Sequence, residues 1–442
     1  MVLVPGNREE RQYLHFFNTQ ATRALSGFFP SDFWNVFLPQ LSHHNSTIRH
    51  AVTAVGVTYE QRALQLTAKS SRSESFALQQ YNKAIQSFSE QLSHPQTPNV
   101  DVILITCALF ICLEMLRYDP TRAMDHINGG LQILQSRVNE GRPVMVNSFD
   151  RHLLRLFHRL NIQNSLFGRP LLSLDLPREI PNISSLGKAL EFENIEQARE
   201  VLITITNRAL YLIQSINWVR PIVPEPVHQE RLQRKRASKR EFETWLTAFE
   251  ALKRKPPQSV GISDPRAPLQ LIMTYHASYF WLCNCLSRDE MGYDAYYANF
   301  EAIVTSAEQI IALCSDPKLV SFTKPFSMDA EVTPPLWWTA YKCRHPVLRR
   351  RAIDAMKQYP TREGMWEMKR QVMAVEMIVE REEAAISFLP VERRLPDDDH
   401  RIYAWVFWPA GESLLAPCPY LVISKSDIVN GVISQQWQDM YW

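Results

Sequence analysis

Between Val102 and Met115 the chain carries 14 residues that are apolar almost without interruption, broken only by Thr106 and Glu114. The run is shorter than the roughly 20 residues needed to cross a bilayer, and it holds a carboxylate. A helix that is apolar on every side, yet too short for a membrane, must be surrounded by other helices. This segment is therefore expected at the centre of a helical bundle.

The flanking sequence agrees. Ser31 precedes Phe33, Trp34, Phe37 and Leu38; Ser46 precedes Ile48, Ala51, Val52 and Val55; Ser71 with Glu74 matches a capping box before Phe76, Tyr81, Ile85 and Phe88. Asn99 can cap the apolar helix, and Pro120 stands at the first turn of the next, which runs through Ile127, Leu131 and Leu134. Further helical spacing lies at Phe149–Phe167, Ile195–Ile216, Phe242–Leu252, Leu269–Leu286, Tyr293–Leu313, Pro346–Met356 and Thr361–Phe388. Two stretches read as loops instead: Gly168–Gly187, and the segment holding Pro317, Pro325, Pro334 and Pro335. Arg401–Trp408 and Tyr420–Ile423 are aromatic and β-branched, which predicts one or two short strands.

The fold class predicted is therefore all-α, a multi-helix bundle or array with a short irregular or β-containing C-terminal segment. No fixed repeat length marks it as a particular solenoid. Pro221, Pro224 and Pro226, followed by a basic run, predict a linker at 216–240. It divides an N-terminal half, 1–215, from a C-terminal half, 241–390, with an aromatic-rich segment at 391–442.

Composition narrows function. The chain has only 13 glycines in 442 residues, well below the average of about 7%, which disfavours glycine-built phosphate loops. Gly-x-Ser-x-Gly, Gly-x-Gly-x-x-Gly and the Gly-x4-Gly-Lys phosphate loop are all missing from it. The net charge of +2 is too balanced for a surface that grips nucleic acid over its whole extent. Seven cysteines, mostly within apolar runs, read as reduced buried thiols. Residues 1–11 have no secretory apolar core, so an intracellular protein is expected.

His43, His44 and His50 have no further ligand at metal spacing, and Asp397, Asp398 and Asp399 follow Pro396 in a polar turn. No metal or other cofactor is expected. Arg349, Arg350 and Arg351 diverge by about 100° each on a helix, which suits separate structural pairs better than one phosphate clamp. Trp337, Trp338, Trp366, Trp405, Trp408, Trp437 and Trp442 gather aromatic area towards the C-terminus, where it suits core packing, an enclosed apolar ligand, or a dimer or co-regulator surface.

Several phrases, taken together and in order, resemble the helical regulatory domain of fungal zinc binuclear cluster transcription factors. These are Ser31-Asp-Phe-Trp34, Arg49-His-Ala51, Tyr81-Asn-Lys-Ala84, Leu109-Phe-Ile-Cys-Leu-Glu114 and His126-Ile-Asn-Gly-Gly-Leu131, then Lys342-Cys-Arg344, Arg349-Arg-Arg-Ala352 and Arg362-Glu-Gly-Met-Trp366. The resemblance spans about residues 10–388 and marks Trp34, Arg49, Glu114, His126, Arg344 and Trp366 as structural anchors. It implies a transcription regulator in the nucleus that controls a metabolic or secondary-metabolite gene cluster and acts through protein co-regulators or a homodimer.

The family's zinc cluster uses six closely spaced cysteines, whereas this sequence has no Cys-x-x-Cys pair and its first cysteine is Cys107. Autonomous, sequence-specific DNA binding is therefore not expected of this chain. The basic run Arg231, Arg234, Lys235, Arg236, Lys239 and Arg240 fits a nuclear import signal, a contact to DNA phosphates or a solvated helix start. An enzyme recruited from the same helical fold and a passive helical scaffold are the competing readings.

Overall fold

The computed structural model describes residues 5–63, 71–93, 100–139, 148–172, 190–216, 223–287, 289–316, 325–407, 418–425, 428–429, 432–433 and 438–440. It is predominantly helical, as the spacing predicts. The helices of the N-terminal half are α1 (Arg8–Phe16), α2 (Thr22–Leu25), α3 (Leu38–His44), α4 (Ser46–Thr58), α5 (Ser71–Ser93), α6 (Val100–Arg117), α7 (Pro120–Asn139) and α8 (Ser148–Leu166). After them come α9 (Ile195–Gln214), α10 (Glu225–Lys253), α11 (Arg266–Asn284), α12 (Tyr297–Cys314), α13 (Thr333–Lys342), α14 (Pro346–Gln358) and α15 (Met368–Glu383). Among the described residues, no helix is long and apolar enough to cross a membrane.

The all-apolar segment is α6, buried from Leu104 to Leu116 except for Cys107, and packed between α4 and α7. It lies at the heart of a first core that also contains Trp34, Val52, Leu131 and Phe157. Gly130 sits against the Phe157 ring, where any side chain would collide, so glycine sets how closely α7 approaches α8.

A second core is built from α9 to α15, with Trp245, Tyr275, Phe300, Tyr341 and Ile378 among its members. The two cores interlock. Phe28 and Phe29, from the loop after α2, are buried in the second core, while Phe326, Met328 and Met365, from the C-terminal part, are buried in the first. Two short strands, β1 (Phe326–Ser327) and β2 (Arg362–Glu363), pair in parallel where the latter exchange occurs.

Prolines produced the main departures from expectation. Residues 217–222 lie outside the described residues, but residues 225–240 of the expected linker form the first half of α10. Pro224 is its N-cap and Pro226 falls in its first turn, where no intrahelical N–H is required, so these residues start a helix instead of breaking one. Pro334 and Pro335 occupy the first turn of α13 in the same way, within a stretch expected to be loop. Conversely, the helix expected from Thr361 begins only at Met368, because Gly364 turns the chain with a φ of 50° after β2. Of the loop expected at 168–187, residues 173–187 lie outside the described residues.

The expected C-terminal strands are present as β3 (Ile402–Phe407) and β4 (Cys418–Ser424), which pair antiparallel. β7 (Gln438–Met440) adds to β4, and β5 (Ile428–Val429) pairs with β6 (Val432–Ile433). Trp408, Trp437 and Trp442 lie outside the described residues.

Candidate functional site

A cleft of about 110 Å³ opens at the junction of the two cores. Arg159, Ile162, Gln163 and Leu166 recur at three- to four-residue spacing on α8 and so share a face; Arg199, Leu202, Ile203, Thr206 and Leu210 do the same on α9. Gln270, Thr274, Ser278 and Trp281 line it from α11, and Pro334, Pro335 and Trp338 from α13. Its walls are mainly apolar, with the Trp281 and Trp338 ring centroids 4.4 Å apart.

One end is charged. Asp329 accepts from Arg159 Nε at 2.9 Å and from Arg199 Nη2 at 2.8 Å. Burial would raise the Asp329 carboxyl, but the two guanidinium groups outweigh burial and hold it below the usual carboxylate range. Arg199 also lies 3.8 Å from Glu331 and stacks on the Phe29 ring at 3.9 Å. Because Arg159 belongs to α8 and Arg199 to α9, this network joins the elements of both cores beside the cleft.

Glu331 begins a turn that is held by a third carboxylate. Glu363, on β2 and fully buried, accepts from the backbone N–H groups of Glu331, Val332 and Thr333 at 2.9 to 3.1 Å and from Tyr359 Oη at 2.9 Å. A carboxylate at the N-terminus of α13 meets both the unpaired donors and the positive end of the helix dipole. The exchange strand thereby positions Trp338.

The anchors implied by resemblance lie away from the cleft. Trp34 is buried in the first core, edge-on to Phe33. Arg49 donates to the Ser42 carbonyl at 3.3 Å, near the end of α3. Glu114 accepts from Tyr81 Oη at 2.9 Å, and burial pushes its carboxyl up. His126 is half-buried beside Phe110, and burial lowers its imidazole. Arg344 is fully buried between Glu290 and Glu382, and Trp366 packs on Phe167 and Trp337.

Arg349, Arg350 and Arg351 separate as helix geometry requires, pairing with Glu382, Glu383 and Glu308 respectively. Asp398 accepts from Tyr403 Oη and from Glu290 N, so that residue of the acidic turn is tied into the fold.

Along the basic run, Arg231 donates to the Ser215 carbonyl at 3.2 Å, Lys235 donates to the Cys283 carbonyl, and Lys239 lies 3.7 Å from Glu243. Arg234, Arg236 and Arg240 are exposed and make no ion pair among the described residues. Buried positions on α10 begin only at Glu241, so the N-terminal half carrying these charges is a solvated helical arm.

Sequence inspection missed the cleft itself. A signal was present in Arg199, a lone cation on the apolar face of Ala198, Val201, Leu202 and Ile205, which requires a buried counter-ion from elsewhere. Among the described residues, no three His, Cys, Asp or Glu side chains group to hold a metal ion.

The sequence profile of the fungal specific transcription factor domain matches residues 12–254, more than half of the chain. A regulator from Emericella nidulans (strain FGSC A4), the aspercryptin biosynthesis cluster-specific transcription regulator atnN, is 28% identical over 250 residues, covering 54% of this chain and 39% of that protein. This chain thus matches well under half of that relative's length. No solved structure matches it. With the match running from within α1 to the end of α10, and so including α8, α9 and the basic arm, the chain belongs to the fungal specific transcription factor domain family.

Proposed function

We propose that this chain is the helical regulatory body of a nuclear transcription regulator controlling a biosynthetic gene cluster. The observation that carries this reading is the domain match over residues 12–254, and the name of the Emericella nidulans relative supports the cluster-specific part. The exposed arm bearing Arg234, Arg236 and Arg240 suits import receptors, which read dense fixed charge. Base reading is assigned to a partner or to another polypeptide segment, since these residues hold no Cys-x-x-Cys pair. Co-regulator proteins, or a second copy of the chain, receive the signal.

The junction cleft is the input in this scheme. A molecule wedged between α8, α9, α11 and α13 changes how the two cores seat, and a ligand shifts such an equilibrium only by its differential affinity for the two arrangements. The enzymatic alternative has less support, because both the matched domain and the relative's name are those of transcription regulators.

The test is transcriptional. The full chain is fused to a heterologous DNA-binding domain above a reporter, and the native gene is deleted with transcripts read genome-wide. Reporter output that differs from the DNA-binding domain alone, with a coherent loss or gain of clustered biosynthetic transcripts, is expected. Unchanged output in both experiments would overturn the proposal.

A further inference from the structure

Ser238 stands inside the basic run, in Arg234-Lys-Arg-Ala-Ser-Lys-Arg240. Lys235 and Arg236 lie three and two residues before it, and Lys239 and Arg240 follow it directly. No other serine or threonine of the 442 residues has Lys or Arg at both of those preceding positions. Serine kinases of the basophilic class select substrates by that charge pattern, setting acidic side chains opposite the cations that precede the hydroxyl.

The fold leaves this stretch open to such an enzyme. Buried positions on α10 begin at Glu241, so residues 234–240 lie wholly on the solvated arm. Ser238 is half-buried there, while Arg234, Arg236, Ala237, Lys239 and Arg240 are exposed. A kinase takes its substrate segment extended, so the arm must unwind locally, and little opposes this. Its tethers include Arg231 to the Ser215 carbonyl and Lys235 to the Cys283 carbonyl, and the exposed pair of Lys239 with Glu243 contributes little. A helical segment that buries no side chain is marginal in water and opens at the low end of a protein's stability scale.

We propose that Ser238 is phosphorylated by a basophilic serine kinase and that the phosphate weakens the charge of the basic arm. In the transfer, Ser238 Oγ forms the new bond to the γ-phosphorus of ATP and the bond from that phosphorus to the β–γ bridging oxygen breaks. The hydroxyl proton passes to the kinase's catalytic carboxylate, and ADP leaves. Residues 234–240 hold five cations and no acid; a phosphate of charge about −2 brings their sum to about +3. On the rewound helix Arg234 and Lys235 stand four and three residues before Ser238, hence on its face, where the phosphate oxygens take both in charge-assisted bonds. Glu241, three residues after it, is held by Arg208 at 2.8 Å and does not compete for them. The consequence for import rests on reading the arm as the import element, but the test involves neither import nor transcription, so its failure and the failure of that reading are told apart.

Purified full chain, wild type and Ser238→Ala, is incubated with ATP and, separately, with cAMP-dependent protein kinase and with protein kinase C. Cleavage after Glu230 and Glu241 releases a peptide, 231–241, in which Ser238 is the sole hydroxyl-bearing residue, and tandem mass spectrometry reads it. One phosphate on this peptide is expected with at least one of the two kinases, and none in Ser238→Ala. Arg236→Gln should slow incorporation at least about tenfold, as loss of one charge-assisted contact to the kinase does. The phosphorylated chain should leave immobilised heparin at lower salt than the untreated chain, with Ser238→Ala, treated alike, showing no such shift. All three substitutions of the test fall on or beside the solvated arm, and thermal unfolding verifies the fold; the wild-type result decides alone if a variant folds poorly. No phosphate on peptide 231–241 with either kinase, incorporation indifferent to a folded Arg236→Gln chain, or unchanged elution from heparin would overturn the proposal.

Discussion

Arg344 Nη2 donates to Glu382 Oε1 at 2.9 Å, and both side chains are completely buried. The same carboxylate oxygen accepts from the backbone N–H of Ile402 at 2.8 Å, while Arg344 donates to the Ile402 carbonyl at 3.1 Å. One ion pair therefore ties the end of α13, the end of α15 and the start of β3 into a single body. Removing either partner strands the other in a medium that penalises bare charge.

Arg344→Ala should accordingly lower stability by about 3–5 kcal/mol. Arg344→Lys should recover only part of this, because an ammonium lacks the planar fork that reaches Glu290, Glu382 and the Ile402 carbonyl together. Urea unfolding followed by circular dichroism measures both; an alanine variant within about 1 kcal/mol of the parent would contradict the account.

At the core junction, Asp329→Ala removes the acceptor shared by Arg159 and Arg199. A loss of about 2–4 kcal/mol is expected, the range for deleting one partner of a buried charged network. Asp329→Asn, which keeps one acceptor oxygen, should lose less. Chemical denaturation of the two variants side by side ranks them.

Acid should destabilise the fold through two histidines. Burial lowers His158, whose neighbour Arg159 adds to the effect, to about 4, and burial likewise lowers His276 to about 4. Each imidazole is neutral when folded, whereas the unfolded chain takes up a proton near pH 6.5. Their contribution is fully present above pH 6.5 and is lost as pH falls towards 4, by about 3 kcal/mol for the well-buried His158. His158→Gln should flatten the pH dependence of the melting temperature over that interval, a change that a scan from pH 7 to pH 4 detects.

Arg234, Arg236 and Arg240 project from the solvated half of α10. Replacing all three with alanine should leave thermal stability within about 0.5 kcal/mol of the parent, as surface changes usually do. A fluorescent fusion of the full chain should then lose its nuclear enrichment. Undiminished enrichment would assign import to another segment.

Leu109→Asp places a charge where α6 is fully buried. No counter-ion is available on an apolar helix face, so the variant should fail to show a cooperative thermal transition. A retained sharp transition would contradict the central position of α6.

Periodicity alone determined many of the helices and the central place of α6, because both follow from short-range rules: which side chains share a face, and how many faces are apolar. The helix starts near Ser46 and Ser71 and the β-branched runs at Ile402 and Tyr420 were readable for the same reason, although the cap of α4 is Asn45 and not Ser46. Proline was ambiguous. The residue that breaks a helix interior is acceptable in its first turn, and whether Pro226 or Pro334 meets an interior or a start depends on which backbone N–H groups need partners. Tertiary structure decided the exchange of Phe28 and Phe29 for Phe326 and Met328 between the cores. It also brought Asp329 to Arg159 and Arg199 across 170 and 130 residues of chain. Local pattern shows that a buried arginine needs a carboxylate; only packing selects which one, since burial makes any unpaired alternative too costly.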